Sequence, residues 1–488
     1  MLRKFGVAAL VVIALSVGAG AQDAKTIIAN ASRAMGADNL TSLTYSGSAQ
    51  NGNFGQSRNI AGPLQMTAIT TYTRSIDLNQ PASRAFGPTM PPAIAGAPAP
   101  VAGNFNQNIT PTTMGGWTQQ LQIWVTPWAF LKGAVANNAT VKSERVGGTQ
   151  YNVVTWSPSA KAPSGQPYRV VGYINPQNLV DRVETWVEHP VMGDLHVDTT
   201  YSNYQDFGGV KVPTRIVQKQ GELESFNATI TSASANPANI VELLTPPPAR
   251  GGGPGGAPGG GAPPAPPQVA SEKLADGVYR ITGGYVALAI EFSDHILVLE
   301  SGQSEARGQA VLAEARKDIP NKPIRYVVNT HAHFDHASGL AAVVAEGIPI
   351  ITQNDNKAFF DKALSAPRTL VGDSLSKTGK KPVIEGVAEK RELKDATRTV
   401  ELYHVQGLAH TDGMLIAYLP KEKILFTADF NVPAMGQPAS PFITSLVQNV
   451  DRLKLDFETH VLVHAPNPDK PQTRADLMAL AKTVPVTP

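Results

Sequence analysis

Apolar and polar positions change rhythm twice along the 488-residue chain. At its start, Arg3 and Lys4 precede an apolar run from Val7 to Val17, and Ala19-Gly20-Ala21 forms a small-residue cleavage pattern before Gln22. The run is short for a bilayer span, so residues 1–21 are expected to be a secretory signal peptide. Asp23 reads as an N-cap. Ile27, Ile28, Ala31 and Met35 then share one side of a helix over 24–35, which Gly36 ends. Beyond it the alternation favours strands, expected at 43–46, 67–78, 151–156, 168–174, 179–187, 196–207, 210–219 and 225–234. Asn175-Pro176-Gln177-Asn178 and Gly208-Gly209 supply turns between neighbours. Residues 88–102 are rich in Pro, Ala and Gly and read as a loose loop. Trp117 to Leu131 carries seven large apolar residues, counting Leu121, Ile123, Trp124, Trp128 and Phe130. It reads as a core helix interrupted near Pro127, with a flap over an apolar cavity as the alternative.

The second change is abrupt. Residues 246–268 are almost wholly Gly, Pro and Ala, bury nothing, and read as a linker. They separate an N-terminal α+β domain, 22–245, from a C-terminal domain, 269–488. In the latter, strand and helix patterns alternate. Strands are expected at 278–281, 286–292, 295–300, 323–329, 348–352, 398–405, 414–419, 424–428 and 460–464. Helices are expected at 304–317, 340–345, 355–364 and 446–455. Two sheets covered by helices would make an αβ/βα sandwich, so the overall class is α+β.

Composition narrows the function. Net charge is +2 without a block of basic residues, which argues against a nucleic-acid partner. Past the signal, no stretch is long and apolar enough to be read as a transmembrane segment. The chain has no cysteine. A cysteine-free exported protein suits a periplasmic or secreted setting. It also restricts any metal site to His, Asp and Glu among the common ligands.

Candidate chemistry concentrates at Thr330-His331-Ala332-His333-Phe334-Asp335-His336, on the turn from an apolar strand into a helix. His331 and His333, two apart in an extended segment, can point the same way. Asp335 and His336 come where the chain curls into the helix and can face a second point. Imidazole and carboxylate suit zinc or iron, and two such points suit a two-metal centre. His410 sits in a turn between two strands, Asp429 ends the strand 424–428, and His464 ends the last strand. Each is a metal-capable residue where loops gather at one sheet edge.

With His331-x-His333-x-Asp335-His336 followed by His410, Asp429 and His464, residues 269–488 resemble the metallo-β-lactamase superfamily. The resemblance implies that His331, His333 and His410 hold one zinc ion and that Asp335, His336 and His464 hold a second. It further implies that Asp429 bridges the two ions, that a hydroxide lies between them, and that Asp335 is also catalytic. Three positions depart from the family pattern. Glu300 stands where an Asp is usual, Ala428 precedes the bridging Asp in place of Gly, and Val463 and Ala465 flank His464 in place of two glycines. The N-terminal half resembles, in layout and export alone, a periplasmic lipoprotein-carrier half-barrel, which implies an apolar ligand there.

The function expected is an exported zinc-dependent hydrolase of a small-molecule ester, lactone, thioester, amide, phosphoester or sulfate ester. Two alternatives stand beside it: a periplasmic carrier with a structural metal site, and a di-iron redox protein of the same fold. The β-lactam substrate in the family's title is not assumed, because one fold hosts many activities. His404 reads as structural or supporting, and His189, His196, His295 and His460 as ordinary strand or surface residues. The loop 432–438 after Asp429 is read either as a wall of the substrate cleft or as a plain connection.

Overall fold

The computed structural model describes residues 17–110, 116–246, 268–434 and 437–485. The expected signal peptide lies outside these residues up to position 16, and the expected linker lies outside them except at its ends. The first helix runs Val17–Ala34, several residues earlier than expected.

In the N-terminal half, eleven described strands form one antiparallel sheet. Across it the order is Gly103–Ile109, Ala82–Met90, Met66–Asp77, Ser42–Gly52, Leu223–Ala235, Val210–Gln220, Gly193–Phe207, Val180–His189, Val170–Ile174, Thr149–Trp156 and Thr140–Val146. Burial alternates along Gly193–Phe207, as it does when only one face is covered. The helices Trp117–Trp124 and Pro127–Ala136 cover that face, and the break falls at Val125 and Thr126, just before Pro127. Trp117, Leu121, Trp128 and Phe130 are buried in the core with Tyr45, Tyr72 and Trp156, so this segment is core and not a flap. The space left among Tyr45, Tyr72, Trp128, Tyr201 and Phe226 is about 30 Å³, room for little more than a water molecule.

The loop expected over 88–102 is shorter, because Ala82–Met90 and Gly103–Ile109 are strands on either side of it. The polar composition of Gly103–Ile109 hid that strand. Gly103–Ile109 is an outermost strand and so has less to bury.

The C-terminal half is an αβ/βα sandwich. Its first sheet orders Ala270–Ala275, Val278–Thr282, Ala287–Glu291, Ile296–Leu299, Ile324–Val328, Ile350–Gln353 and Ile384–Val387. Pairing is antiparallel up to Ile296–Leu299 and parallel beyond it. The second sheet orders Lys390–Lys394, Thr399–His404, Leu415–Leu419, Ile424–Thr427, Thr459–Leu462 and Gln472–Thr473. The two-residue period of the strands sorts their side chains. Leu288, Ile290, Leu297 and Leu299 join the core shared with the second sheet. Ala287, Ala289, Ile296 and Val298 face the helices Glu305–Asp318 and Leu340–Glu346 instead.

The halves pack together. Leu370 belongs to the N-terminal core, while Ile60 and Val191 belong to the helix-side core of the sandwich. Arg368 pairs with Asp373 and donates to the backbone oxygens of Pro190 and Val191. Asp194 accepts from the backbone N–H groups of Thr369 (2.9 Å) and Leu370 (2.8 Å). Among the described residues, no helix is long and apolar enough to cross a membrane.

Candidate metal centre

The seven predicted residues come together at one edge of the sandwich. Strand Ile324–Val328 delivers His331 and His333, with His333 still extended at φ −59°, ψ 143°. The single turn Phe334–Ala337 then carries Asp335 and His336. His410 lies between Thr399–His404 and Leu415–Leu419, Asp429 follows Ile424–Thr427, and His464 follows Thr459–Leu462. The last two strands are parallel neighbours, which brings Asp429 and His464 to the same end.

Asp429 is the hub. Its Oδ2 lies 2.6 Å from His410 Nε2, 3.1 Å from His331 Nε2 and 3.9 Å from His333 Nδ1. Its Oδ1 lies 2.5 Å from His464 Nε2 and 3.1 Å from His336 Nε2. Asp335 Oδ2 is 3.6 Å from His336 Nε2, and the facing nitrogens of His336 and His464 are 3.1 Å apart. Two sets result, His331, His333, His410 with Asp429, and Asp335, His336 with His464. Within each set one donor atom per residue lies within 4.8 Å of the others, so each could hold a metal ion.

The buried polar atoms fit that use. His331, His333 and His336 are essentially inaccessible. His331 Nε2 and His333 Nδ1 lack a hydrogen-bond partner among the described residues, and both point at the hub. An orphaned buried nitrogen is costly unless something takes its lone pair. The other nitrogens are held: His333 Nε2 is 3.1 Å from the Ser57 carbonyl, and His331 Nδ1 is 3.1 Å from Thr330 Oγ1. Donation from Nε2 to a carbonyl leaves Nδ1 of His333 as a bare acceptor, the form a cation binds.

Electrostatics agree at His331 and His333, whereas at His336 burial is outweighed by the Asp429 and Glu300 carboxylates, which raise the pKa well above its ordinary value. Burial, with neighbouring His336, drives the pKa of His331 well below its ordinary value; burial, with His410, pushes that of His333 down to about 4. Both imidazoles are therefore neutral at pH 7, as metal ligands must be. Burial would raise the pKa of Asp429, but the imidazoles of His336 and His331 overcome it and keep the carboxylate charged.

Several contributors carry no sequence signal. Tyr285 Oη donates to Asp335 Oδ2 at 2.9 Å, and its ring lies 4.3 Å from that of His464. Gln56 Nε2, from the other half of the chain, donates to Asp335 Oδ1 at 2.6 Å. Glu300, noted in the sequence only as a departure, is fully buried beside His336. His404 ties down the turn carrying His410, with Nε2 2.9 Å from the Asp412 carbonyl. His189, read as ordinary, lies against Phe334 with ring centroids 4.7 Å apart. The loop 432–438 falls partly outside the described residues.

Residues 282–452 match the model of the metallo-β-lactamase superfamily. The C-terminal half belongs to that superfamily. Over 208 residues the chain is 26% identical to the 2,4-dinitroanisole O-demethylase subunit alpha of Nocardioides sp., covering 41% of this chain and 58% of that one. Over 57 residues it is 42% identical to a linear primary-alkylsulfatase of Pseudomonas sp., covering 12% and 11%. The chain thus spans less than two thirds of the length of either curated relative. Solved structures similar to the metallo-β-lactamase half include metallo-β-lactamases from Pontibacter korlensis and Hirschia baltica. The first is 18% identical with TM-score 0.35, covering 44% of this chain and 98% of that one. The second is 20% identical with TM-score 0.35, covering 45% and 99%.

Proposed function

We propose that the metallo-β-lactamase half is a hydrolase holding two zinc ions, one on His331, His333 and His410, the other on Asp335, His336 and His464, with Asp429 shared. The observation that carries this reading is the orientation of Asp429, whose two oxygens face two separate sets of side chains. Zinc in such a pair acidifies water and polarises a carbonyl, phosphoryl or sulfuryl oxygen.

The chain's own residues do the rest. Asp335 is the proposed catalytic residue. Tyr285 and Gln56 hold its two oxygens, so the carboxylate is oriented before substrate arrives. The carboxylate so held can also align an attacking water and receive its proton. His410 and His464 are about one fifth and one quarter exposed, and Asp335 about one third, so the centre opens to solvent on their side. His331 and His336 close the inner side against water. No serine or cysteine nucleophile is required.

The substrate proposed is a small ester-like molecule within the set named from the sequence. The curated relatives are named for an aryl ether and for alkyl sulfates, so alkyl sulfate esters and aryl alkyl ethers are the first compounds to try. The leader expected over 1–21 makes the protein an exported one in this reading.

The test is metal analysis of the purified full chain, followed by a panel of sulfate esters, aryl alkyl ethers, phosphodiesters, lactones, thioesters and β-lactams. Two zinc ions per chain and turnover that His331→Ala with Asp335→Ala abolishes would uphold the reading. Full turnover by that double variant would overturn it, and a coloured protein holding iron would move it to redox chemistry.

A further inference from the structure

The turn that carries His333 and Asp335 is gripped by the other half of the molecule. Between the strands Ser42–Gly52 and Met66–Asp77, the N-terminal sheet sends out a loop that meets three consecutive residues of the turn. The Ser57 carbonyl lies 3.1 Å from His333 Nε2, the Gly55 carbonyl accepts from the Phe334 N–H at 3.0 Å, and Gln56 Nε2 donates to Asp335 Oδ1 at 2.6 Å. Arg58 extends the grip to the turn bearing His410, accepting from the Asp412 N–H at 2.9 Å and pairing with its carboxylate at 2.7 Å.

This approach is built in. Gly55 has φ +82°, and a Cβ there would sit 2.0 Å from the Phe334 ring. Only glycine lets the two backbones come so close. The loop also braces itself, since the Gln56 N–H donates to the Asn53 carbonyl and Asn53 Nδ2 donates to the Gln56 carbonyl, each at 3.1 Å. Its amide and carbonyl therefore reach the metal centre from a fixed frame.

We propose that the N-terminal half is a working part of the metal centre, with Gln56 and the Ser57 carbonyl as positioning groups for Asp335 and His333. The inference rests on the two-zinc reading above. The chemistry favours a positioning role over simple packing. Ser57 engages the His333 nitrogen that faces away from the hub, which leaves Nδ1 for a cation. Gln56 engages Oδ1 of Asp335 and turns Oδ2 towards His336, where one lone pair accepts from Tyr285 and the other is open for coordination. Partners of this kind change metal affinity by roughly ten- to a hundred-fold when removed. The rim is shared as well, because the loop around Gly96 runs past Ala409, beside His410, so closely that a Cβ added at Gly96 would meet the Ala409 methyl at 3.5 Å.

The experiment is a zinc titration of the full chain, stripped of metal and competed against a chromophoric chelator, for wild type, Gln56→Ala and Gln56→Met. Methionine keeps the bulk of glutamine and removes the donor. Both variants should take up one ion as tightly as wild type and the other about ten-fold more weakly. The melting temperature of the metal-free protein should be unchanged. Two ions bound by Gln56→Met with wild-type affinities would overturn the inference, since bulk alone would then suffice. Wild-type protein that takes up no zinc would instead sink the two-zinc reading, and this inference with it.

Discussion

Glu300 and His336 face each other in full burial, with Glu300 Oε2 3.5 Å from His336 Nδ1. The Thr330 N–H holds the other carboxylate oxygen at 2.8 Å. Glu300 adopts φ 69°, a left-handed conformation that costs a non-glycine residue on the order of 1–3 kcal/mol. The strain is retained where it aims a carboxylate at a proposed ligand, whose basicity that charge raises. Glu300→Gln keeps the shape and the Thr330 bond but removes the charge. It should weaken zinc at the Asp335, His336, His464 set by about ten-fold or more and spare the other set. Metal content after graded dialysis checks this, and two ions retained as in wild type would count against it.

Because the Asp429 oxygens serve different sets, its loss should be felt at both. Asp429→Ala should strip both ions and reduce turnover by about a hundred-fold or more, whereas His410→Ala should strip chiefly one. Chelation of the wild type should mimic Asp429→Ala and be reversed by zinc. Metal stoichiometry by mass spectrometry separates these outcomes; one tightly held ion in Asp429→Ala would show that the carboxylate does not bridge.

The grip on the catalytic turn has its own stability signature. Gly55→Ala would force a methyl group into Phe334 in a strained backbone, a change expected to cost about 1–3 kcal/mol. The Phe334 N–H donates to Gly55, so its hydrogen exchange reports the same opening directly. Exchange as slow as in wild type would mean that the loop yields without leaving the turn.

The turn His331 to His336 was legible because four metal-capable residues fall within six positions between an apolar strand and an apolar helix. His410, Asp429 and His464 were legible for a related reason: each follows or separates clearly apolar strands, and strand ends meet at one edge of a sandwich. Gln56 was not legible, since it acts on a residue 279 positions away and its own neighbourhood is a plain polar loop. Tyr285 was equally silent, being an aromatic residue next to a strand. Strands such as Gly103–Ile109 and Ala270–Ala275 escaped because outermost strands bury little and lack the apolar alternation that marks Gly193–Phe207.

Histidine burial away from the centre predicts acid sensitivity. His460 is buried in the second sheet, its Nε2 2.8 Å from Thr427 Oγ1, and burial pushes its pKa down to about 4. In the unfolded chain the value is about 6.5. Between these values the unfolded chain binds a proton that the folded one refuses, so stability rises with pH across that range. The contribution is intact above about pH 6.5 and is lost as the pH falls towards 4, by as much as about 3 kcal/mol. His460→Asn removes the titrating group. It should be less stable than wild type at neutral pH, through lost packing, yet lose less on acidification. Denaturant midpoints of both proteins at several pH values provide the check. Both carry the same metal centre, so their difference isolates His460, and a difference constant from neutral pH to pH 4 would refute the argument.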